Sequence, residues 1–109
     1  MTRQEIYNTV KNHLLTQKEK SYNVNNKFCF YRHPTKNLKC AIGCLISDER
    51  YKPDYDNWGD TVAVLTDVNI FDIDDFPFLM DLQRIHDYYN VGDWENRLVY
   101  FASQYNLIP

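Results

Sequence analysis

The sequence predicts an α+β domain in which helices dominate and one small antiparallel β-hairpin packs against them. Three observations lead to this prediction. Apolar residues recur at helical spacing over most of the chain, one short segment alternates in the manner of a strand, and 109 residues leave room for a single core. We therefore expect residues 1–109 to form one globular domain, without an internal repeat or linker.

The first helix is predicted from about residue 3 to residue 17. Thr2 and Glu5 have the spacing of a capping box, in which hydroxyl and carboxylate satisfy the first free N–H groups of a helix. Behind them Ile6, Val10 and Leu14 recur on one face, as in a helix that buries one side.

The hairpin is predicted after a polar loop over residues 18–26. Residues 27–33 are rich in aromatic side chains and alternate between two faces, which is typical of a strand. Residues 34–37 supply a turn, and residues 38–40 form the returning strand. Because a lone hairpin is only marginally stable, we expect it to pack on the helices.

The rest of the chain is predicted to be mainly helical. The most apolar stretch, residues 41–46, is interpreted as a buried helical turn because its small residues allow close packing. Residues 52–60 form a predicted surface loop, and Asp60 then caps a short helix. Two further helices follow, one with a proline in its first turn and one capped by Asp93 that runs to about residue 105.

Charge is distributed unevenly along the chain. The formal net charge is −3, but residues 1–45 carry a balance of +6 and residues 46–109 a balance of −9. Such asymmetry indicates either a polar interaction surface or two halves that face and neutralise each other. For a single compact domain the second interpretation is the favoured one.

Aromatic residues are unusually frequent, with nine Tyr, six Phe and two Trp. Rings stabilise a small core, but nine tyrosines do not all fit inside so small a body, and surface Tyr and Trp are typical of contact patches. The predicted contact surface combines such rings with acidic side chains: Tyr55, Trp58, Asp72, Asp74, Asp75 and Tyr88. Its expected partner is another protein; nucleic acid is less favoured because the chain is acidic overall.

Four potential zinc ligands lie within sixteen residues, in the pattern Cys29-x3-His33-x6-Cys40-x3-Cys44. Thiolate and imidazole are ligands that zinc prefers, so these residues are the candidate metal site, and zinc the one candidate cofactor. The spacing differs from that of tight zinc knuckles, however, and the flanking residues are bulky. Cysteines packed as small apolar side chains in the core are therefore the favoured interpretation.

A thiol nucleophile is the second chemical possibility. Cys40 or Cys44 at a helix start would gain thiolate character, and His86 could act as its base. No glycine-rich segment for an oxyanion accompanies them. The three glycines also lack a phosphate-binding pattern, which excludes a P-loop or Rossmann site.

The location predicted from the sequence is the cytoplasm. No apolar run approaches the length of a membrane span, and the first residues lack the apolar core of a signal peptide. Three cysteines, an odd number, favour free thiols or a metal site over a disulfide framework.

The segment from Leu38 to Ile46 resembles one found in short uncharacterised proteins of bacteria and their phages. The resemblance extends over residues 2–7, 29–32 and 82–87, and so over nearly the whole chain. It implies one intact domain in a bacterial cytoplasm, or in the host cytoplasm if the chain is phage-encoded. That group has no established activity, so no catalytic residue can be transferred, and this chain has Trp58-Gly59 where the resemblance implies Glu-Gly.

The predicted function is therefore that of a non-enzymatic interaction protein, an accessory factor of a phage or bacterium. It would bind a host macromolecule through an aromatic surface with divided charge. The alternative is a small thiol or zinc-site protein that uses Cys29, Cys40 and Cys44 with His33 or His86.

Overall fold

The structure is a computed structural model and describes residues 1–24 and 28–109. Five α-helices occur in this part of the chain: α1 (Arg3–Gln17), α2 (Tyr55–Trp58), α3 (Thr61–Val68), α4 (Phe76–Tyr88) and α5 (Trp94–Gln104). Short 3-10 turns cover Gly43–Leu45, Ile73–Asp75 and Val91–Asp93. Helices dominate, as the apolar periodicity predicts.

The predicted β-hairpin is wrong, and with it the α+β class. The described residues contain no strand or sheet, only two isolated antiparallel bridges, Tyr22 with Cys29 and Arg32 with Lys39. Lys27 of the predicted strand, with Asn25 and Asn26 of the predicted loop, lies outside the described residues. We refer to residues 18–24 and 28–42 as the irregular segment.

Side chains from the helices replace the β-ladder in this segment. Four of its backbone N–H groups donate to them: Ser21 to His86 Nε2 (3.0 Å), Tyr31 to Asp56 Oδ1 (2.6 Å), Lys39 to Gln17 Oε1 (3.0 Å) and Ile42 to Gln83 Oε1 (2.8 Å). A donor used in this way is not available to a neighbouring strand. Pairing therefore does not extend beyond single bridges.

Gly43, in the apolar stretch 41–46, packs tightly against Tyr31 of the irregular segment. A Cβ atom on Gly43 would lie 2.0 Å from the carbonyl oxygen of Tyr31, so only glycine fits at this position. The helical turn predicted here is the 3-10 turn Gly43–Leu45, in which Leu45 N–H donates to the carbonyl of Ile42 (2.9 Å).

The helix starts follow the predicted caps in two cases out of three. Thr2 and Glu5 form the predicted capping box, and Asp60 accepts from the N–H of Ala63. Asp93 precedes α5 but makes no capping hydrogen bond with its side chain, because its backbone is already helical.

The core lies between α1, α3, α4 and α5, and its largest fully buried side chains include Trp94, Tyr7 and Phe78. The predicted surface loop over residues 52–60 contains α2 instead, and Tyr55 in α2 is buried in the core. In the described part of the chain, none of the helices has the length and apolar character needed to cross a membrane.

Candidate functional site

The three cysteines are free thiols at different depths. Cys40 is buried, whereas Cys29 and Cys44 are half-buried. Cys29 and Cys40 line one cavity of about 370 Å³ between the irregular segment, α2 and α4. Cys44 donates its S–H to the carbonyl of Ala41 at 3.0 Å.

The four predicted zinc ligands are not gathered into one group in the described residues. Nδ1 of His33 accepts from the backbone N–H groups of Thr35 (3.2 Å) and Lys36 (3.1 Å). Sγ of Cys40 accepts from Gly43 N–H at 3.3 Å. The potential ligand atoms that do come together belong to Cys29, His86 and Asp87, all within 4.8 Å of one another.

The hydrogen bonds of His86 decide whether Cys29, His86 and Asp87 suit a metal ion. Its ring is fully buried and stacks on Trp94, with ring centroids 5.5 Å apart. Because Nε2 accepts from Ser21 N–H, the neutral ring carries its proton on Nδ1 and donates it to Asp87 Oδ1 at 2.8 Å. A metal ion on Nδ1 would force the proton to Nε2, against the Ser21 donor. The arrangement therefore suits a hydrogen-bond network better than a metal centre.

Asp87 is the centre of that network. Its Oδ1 also accepts from Gln83 Nε2 at 2.7 Å, and Gln83 Oε1 in turn accepts from Ile42 N–H. A continuous path thus runs from Ser21 through His86, Asp87 and Gln83 to Ile42. It ties two distant points of the irregular segment to α4.

The thiols are poorly suited to nucleophilic chemistry. Burial, with the nearby Asp87 carboxylate, raises the pKa of Cys29 to about 12. Burial likewise raises the pKa of Cys44 to about 12 and that of Cys40 well above its usual value. A nucleophilic cysteine needs the thiolate, and both ring nitrogens of His86 are engaged elsewhere. A Cys–His catalytic pair is therefore not formed.

The polar groups of the thiol-lined cavity largely satisfy one another. One oxygen of Asp56 accepts from Tyr31 N–H and the other from the hydroxyl of Tyr51. The hydroxyl of Tyr31 hydrogen bonds to Thr61, and burial raises the Tyr31 pKa to about 12. These hydrogen bonds join the irregular segment to α2 and to the start of α3.

The predicted contact residues lie in separate places. Tyr55 is 1% exposed and donates its hydroxyl to Asp67 at 2.6 Å, so it contributes no ring to the surface. Asp75 is half-buried and pairs with Arg3 at 2.8 Å. The exposed members are Trp58, Asp72, Asp74 and Tyr88, on α2, at the Ile73–Asp75 turn and at the end of α4.

A cleft between α4 and α5 brings aromatic and cationic side chains together. Its volume is about 340 Å³, and we call it the α4–α5 cleft; nine residues line it: Asp81, Arg84, Ile85, Tyr89, Arg97, Tyr100, Phe101, Gln104 and Tyr105. Ile85 and Phe101 are buried at its base, whereas the Tyr100 ring is 60% exposed. The cleft is thus an apolar depression with a tyrosine and arginine rim.

The two arginines of the cleft have different surroundings. Arg84 forms an ion pair with Asp81, whose second oxygen accepts from the hydroxyl of Tyr105 at 2.6 Å. The Arg97 guanidinium lies over the ring of Tyr89, 4.1 Å from its centroid. No carboxylate in the described part of the chain forms an ion pair with Arg97, so its charge remains available to a partner.

The sequence contains a signal for this cleft in the spacing of polar and aromatic residues along α5. Arg97, Tyr100 and Gln104 follow one another at helical spacing beside the buried stripe of α5. Tyr89 and Tyr105 are half-buried and line the cleft. Their position depends on how α4 packs on α5.

Comparison of the chain with protein-family models, with curated proteins and with solved structures finds no match.

Proposed function

We propose that this chain is a non-enzymatic interaction protein that binds a partner protein through the α4–α5 cleft. The observation that carries the proposal is the exposed Tyr100 ring beside Arg97, above the apolar base formed by Ile85 and Phe101. Tyrosine and arginine are the residue types that most often dominate binding energy at protein interfaces, particularly around an apolar pocket.

The thiol chemistry of the chain supports a binding role over an enzymatic one. The raised pKa values of the three thiols keep them protonated, and His86 is fixed by two hydrogen bonds. The side chains that could act as acid, base or nucleophile thus stabilise the irregular segment. The cleft, in contrast, presents the exposed side chains of Arg97 and Tyr100 to solvent.

The proposal includes a cytoplasmic setting, in a bacterium or in the host cell if the chain is phage-encoded. Three free thiols support this setting, because reducing compartments keep cysteines in that state.

Two tyrosines offer a matched test. Tyr100 lies in the cleft and is 60% exposed, whereas Tyr88 is 76% exposed and lies outside the cleft. Purified chain and its Tyr100→Ala and Tyr88→Ala variants would be immobilised and exposed to lysate of the source cell. Bound proteins would be quantified by mass spectrometry. We expect a stoichiometric partner that Tyr88→Ala retains and that Tyr100→Ala loses by about tenfold or more.

Two results would contradict the proposal. One is that no stoichiometric partner is recovered by the unmodified chain. The other is that all three proteins recover the same partner in equal amounts. Equal unfolding midpoints for the two variants would show that the comparison concerns the surface and not folding, since both rings lie mostly in solvent.

A further inference from the structure

The position of Arg97 suggests the chemistry of the partner. A guanidinium that stacks on a tyrosine ring is restricted in its motion, and its N–H groups lie in the guanidinium plane. Its edges therefore remain available for two parallel hydrogen bonds to an oxyanion. The stack on Tyr89 at 4.1 Å fixes Arg97 in this way before a partner arrives, which lowers the entropy lost on binding.

The surroundings of the cleft indicate a carboxylate and not a nucleic acid. Arg84 is partly neutralised by Asp81, so Arg97 is the one cation of the cleft without an ion pair among the described residues. A polyanion needs several such cations to release its counterions. Within the cleft two arginines face one aspartate, a local balance of +1, which suits a single carboxylate and not a chain of phosphates.

We propose that the occupant of the α4–α5 cleft is an acidic peptide segment of a partner protein. An aspartate or glutamate of that segment pairs with Arg97, and a neighbouring apolar or aromatic side chain lies on the base formed by Ile85 and Phe101. The volume of the cleft, about 340 Å³, accommodates one large side chain. This inference rests on the proposed function and adds the charge and chemistry of the segment that is bound.

The test uses the intact, isotope-labelled chain and three soluble probes followed by nuclear magnetic resonance. The probes are two short peptides with blocked ends and a short oligothymidylate: the acidic copolymer joins one glutamate to one tyrosine, and the basic copolymer has lysine in place of the glutamate. We expect the acidic copolymer alone to shift the side-chain Nε–H signal of Arg97 and the amide signals of α5. Arg97→Ala should weaken that binding by about tenfold or more, because the oxyanion loses its paired donors.

Two further variants sharpen the result. Arg97→Lys keeps the charge but cannot donate two parallel hydrogen bonds to a carboxylate. Its binding should therefore fall between that of the unmodified chain and that of Arg97→Ala. Lys11→Ala removes a cation of α1 outside the cleft and should leave binding unchanged. Binding that survives Arg97→Ala, a basic copolymer that binds as well, or an oligothymidylate that binds more tightly would overturn the inference.

Failure of this inference differs from failure of the proposed function. If a cellular partner depends on Tyr100 while the acidic copolymer leaves the cleft unshifted, the partner is a protein of other chemistry and only the acidic segment is refuted. If no cellular partner depends on Tyr100, the proposed function itself fails, whatever the copolymers do.

Discussion

At the scale of single residues, polar side chains on the helices determine how the irregular segment is held. Gln83 lies on the buried face of α4, yet its amide accepts from Ile42 N–H and donates to Asp87. In the sequence Gln83 adjoins the apolar stripe of α4 like any other polar neighbour. Its partner is 41 positions away in the chain, and helical spacing contains no information about such a pair.

Gly43 gives the sharpest prediction at this scale. Gly43→Ala introduces a Cβ atom 2.0 Å from the Tyr31 carbonyl oxygen, so the backbone must move. We expect the free energy of unfolding to fall by about 1–3 kcal/mol, as for other overpacked sites. Urea unfolding followed by circular dichroism measures the change.

Gly92→Ala is the matched control, because no atom lies within 4 Å of a Cβ atom added there. It should leave stability unchanged or raise it by about a few tenths of a kcal/mol, because alanine lowers the conformational entropy of the unfolded chain. Equal effects of the two substitutions would show that the close approach of Gly43 to Tyr31 is not a real constraint.

At the scale of elements, the sequence predicted those parts whose signals are local. The capping box at Thr2 and Glu5, the cap at Asp60 and the apolar periodicity located α1, α3 and α4. These signals work because both partners of each interaction lie within one or two turns.

The hairpin prediction failed because the alternating sequence pattern belongs to an extended segment whose backbone N–H groups donate to side chains on the helices and not to a second strand. Exposure does not alternate along residues 28–33, since Phe28 is exposed and the next five residues are all half-buried, and the N–H of Tyr31 donates to Asp56 on α2. Alternation shows that a segment is extended and partly buried; it does not show what accepts its hydrogen bonds. Side-chain acceptors on helices thus mimic the signal of a sheet.

The position of a contact surface, like the partner of an extended segment, could not be predicted from the sequence. The sequence indicated that some tyrosines lie outside the core, and Tyr88 and Tyr100 do. Which exposed rings share a cleft depends on the packing of α4 on α5, and that packing places Tyr89 beside Arg97. Composition predicts that a contact surface exists, but not where it is.

At the scale of the whole molecule, the two oppositely charged halves are joined at a few points. Arg3 pairs with Asp75 and Arg32 with Asp48, each at 2.8 Å. Several other ion pairs lie within one half, such as Lys52 with Asp67 at 3.0 Å. Surface pairs of this kind contribute little to stability. The fold is therefore stabilised mainly by core packing and by the hydrogen-bond network from Ser21 to Ile42.

The molecule as a whole should lose stability in alkaline solution. Folding raises the pKa of Cys29 and Cys44 from 9.0 to about 12, and that of Tyr31, Tyr55 and Tyr105 from 10.0 to about 12, chiefly through burial. Well below pH 9.0 both states keep these protons. Above it the unfolded chain loses them first, so the unfolding free energy should fall as the pH rises towards about 12.

Urea unfolding across this pH range, in the presence of a reductant, measures the effect. Cys29→Ser removes one thiol and should make the decrease between pH 9.0 and 10.0 shallower. Tyr105→Phe should change that interval less than Cys29→Ser does, because the unfolded tyrosine has its pKa at 10.0 and the unfolded thiol at 9.0. A free energy of unfolding that stays constant up to pH 10.0 in the unmodified chain would refute the buried positions of the thiols.

The most direct test of the central structural claim is amide hydrogen exchange, measured residue by residue. The claim is that helix side chains, in place of a sheet, hold the backbone of the irregular segment. We predict slow exchange at Ser21, Tyr31, Lys39 and Ile42, compared with the amide of the exposed residue Glu49.

In Gln83→Leu the amide of Ile42 should exchange faster, with a loss of about 1–3 kcal/mol in unfolding free energy, because a buried donor is left unsatisfied. The exposed Gln104→Leu should change neither quantity. Four amides that exchange as fast as Glu49 would contradict the claim. So would an Ile42 amide that Gln83→Leu leaves protected.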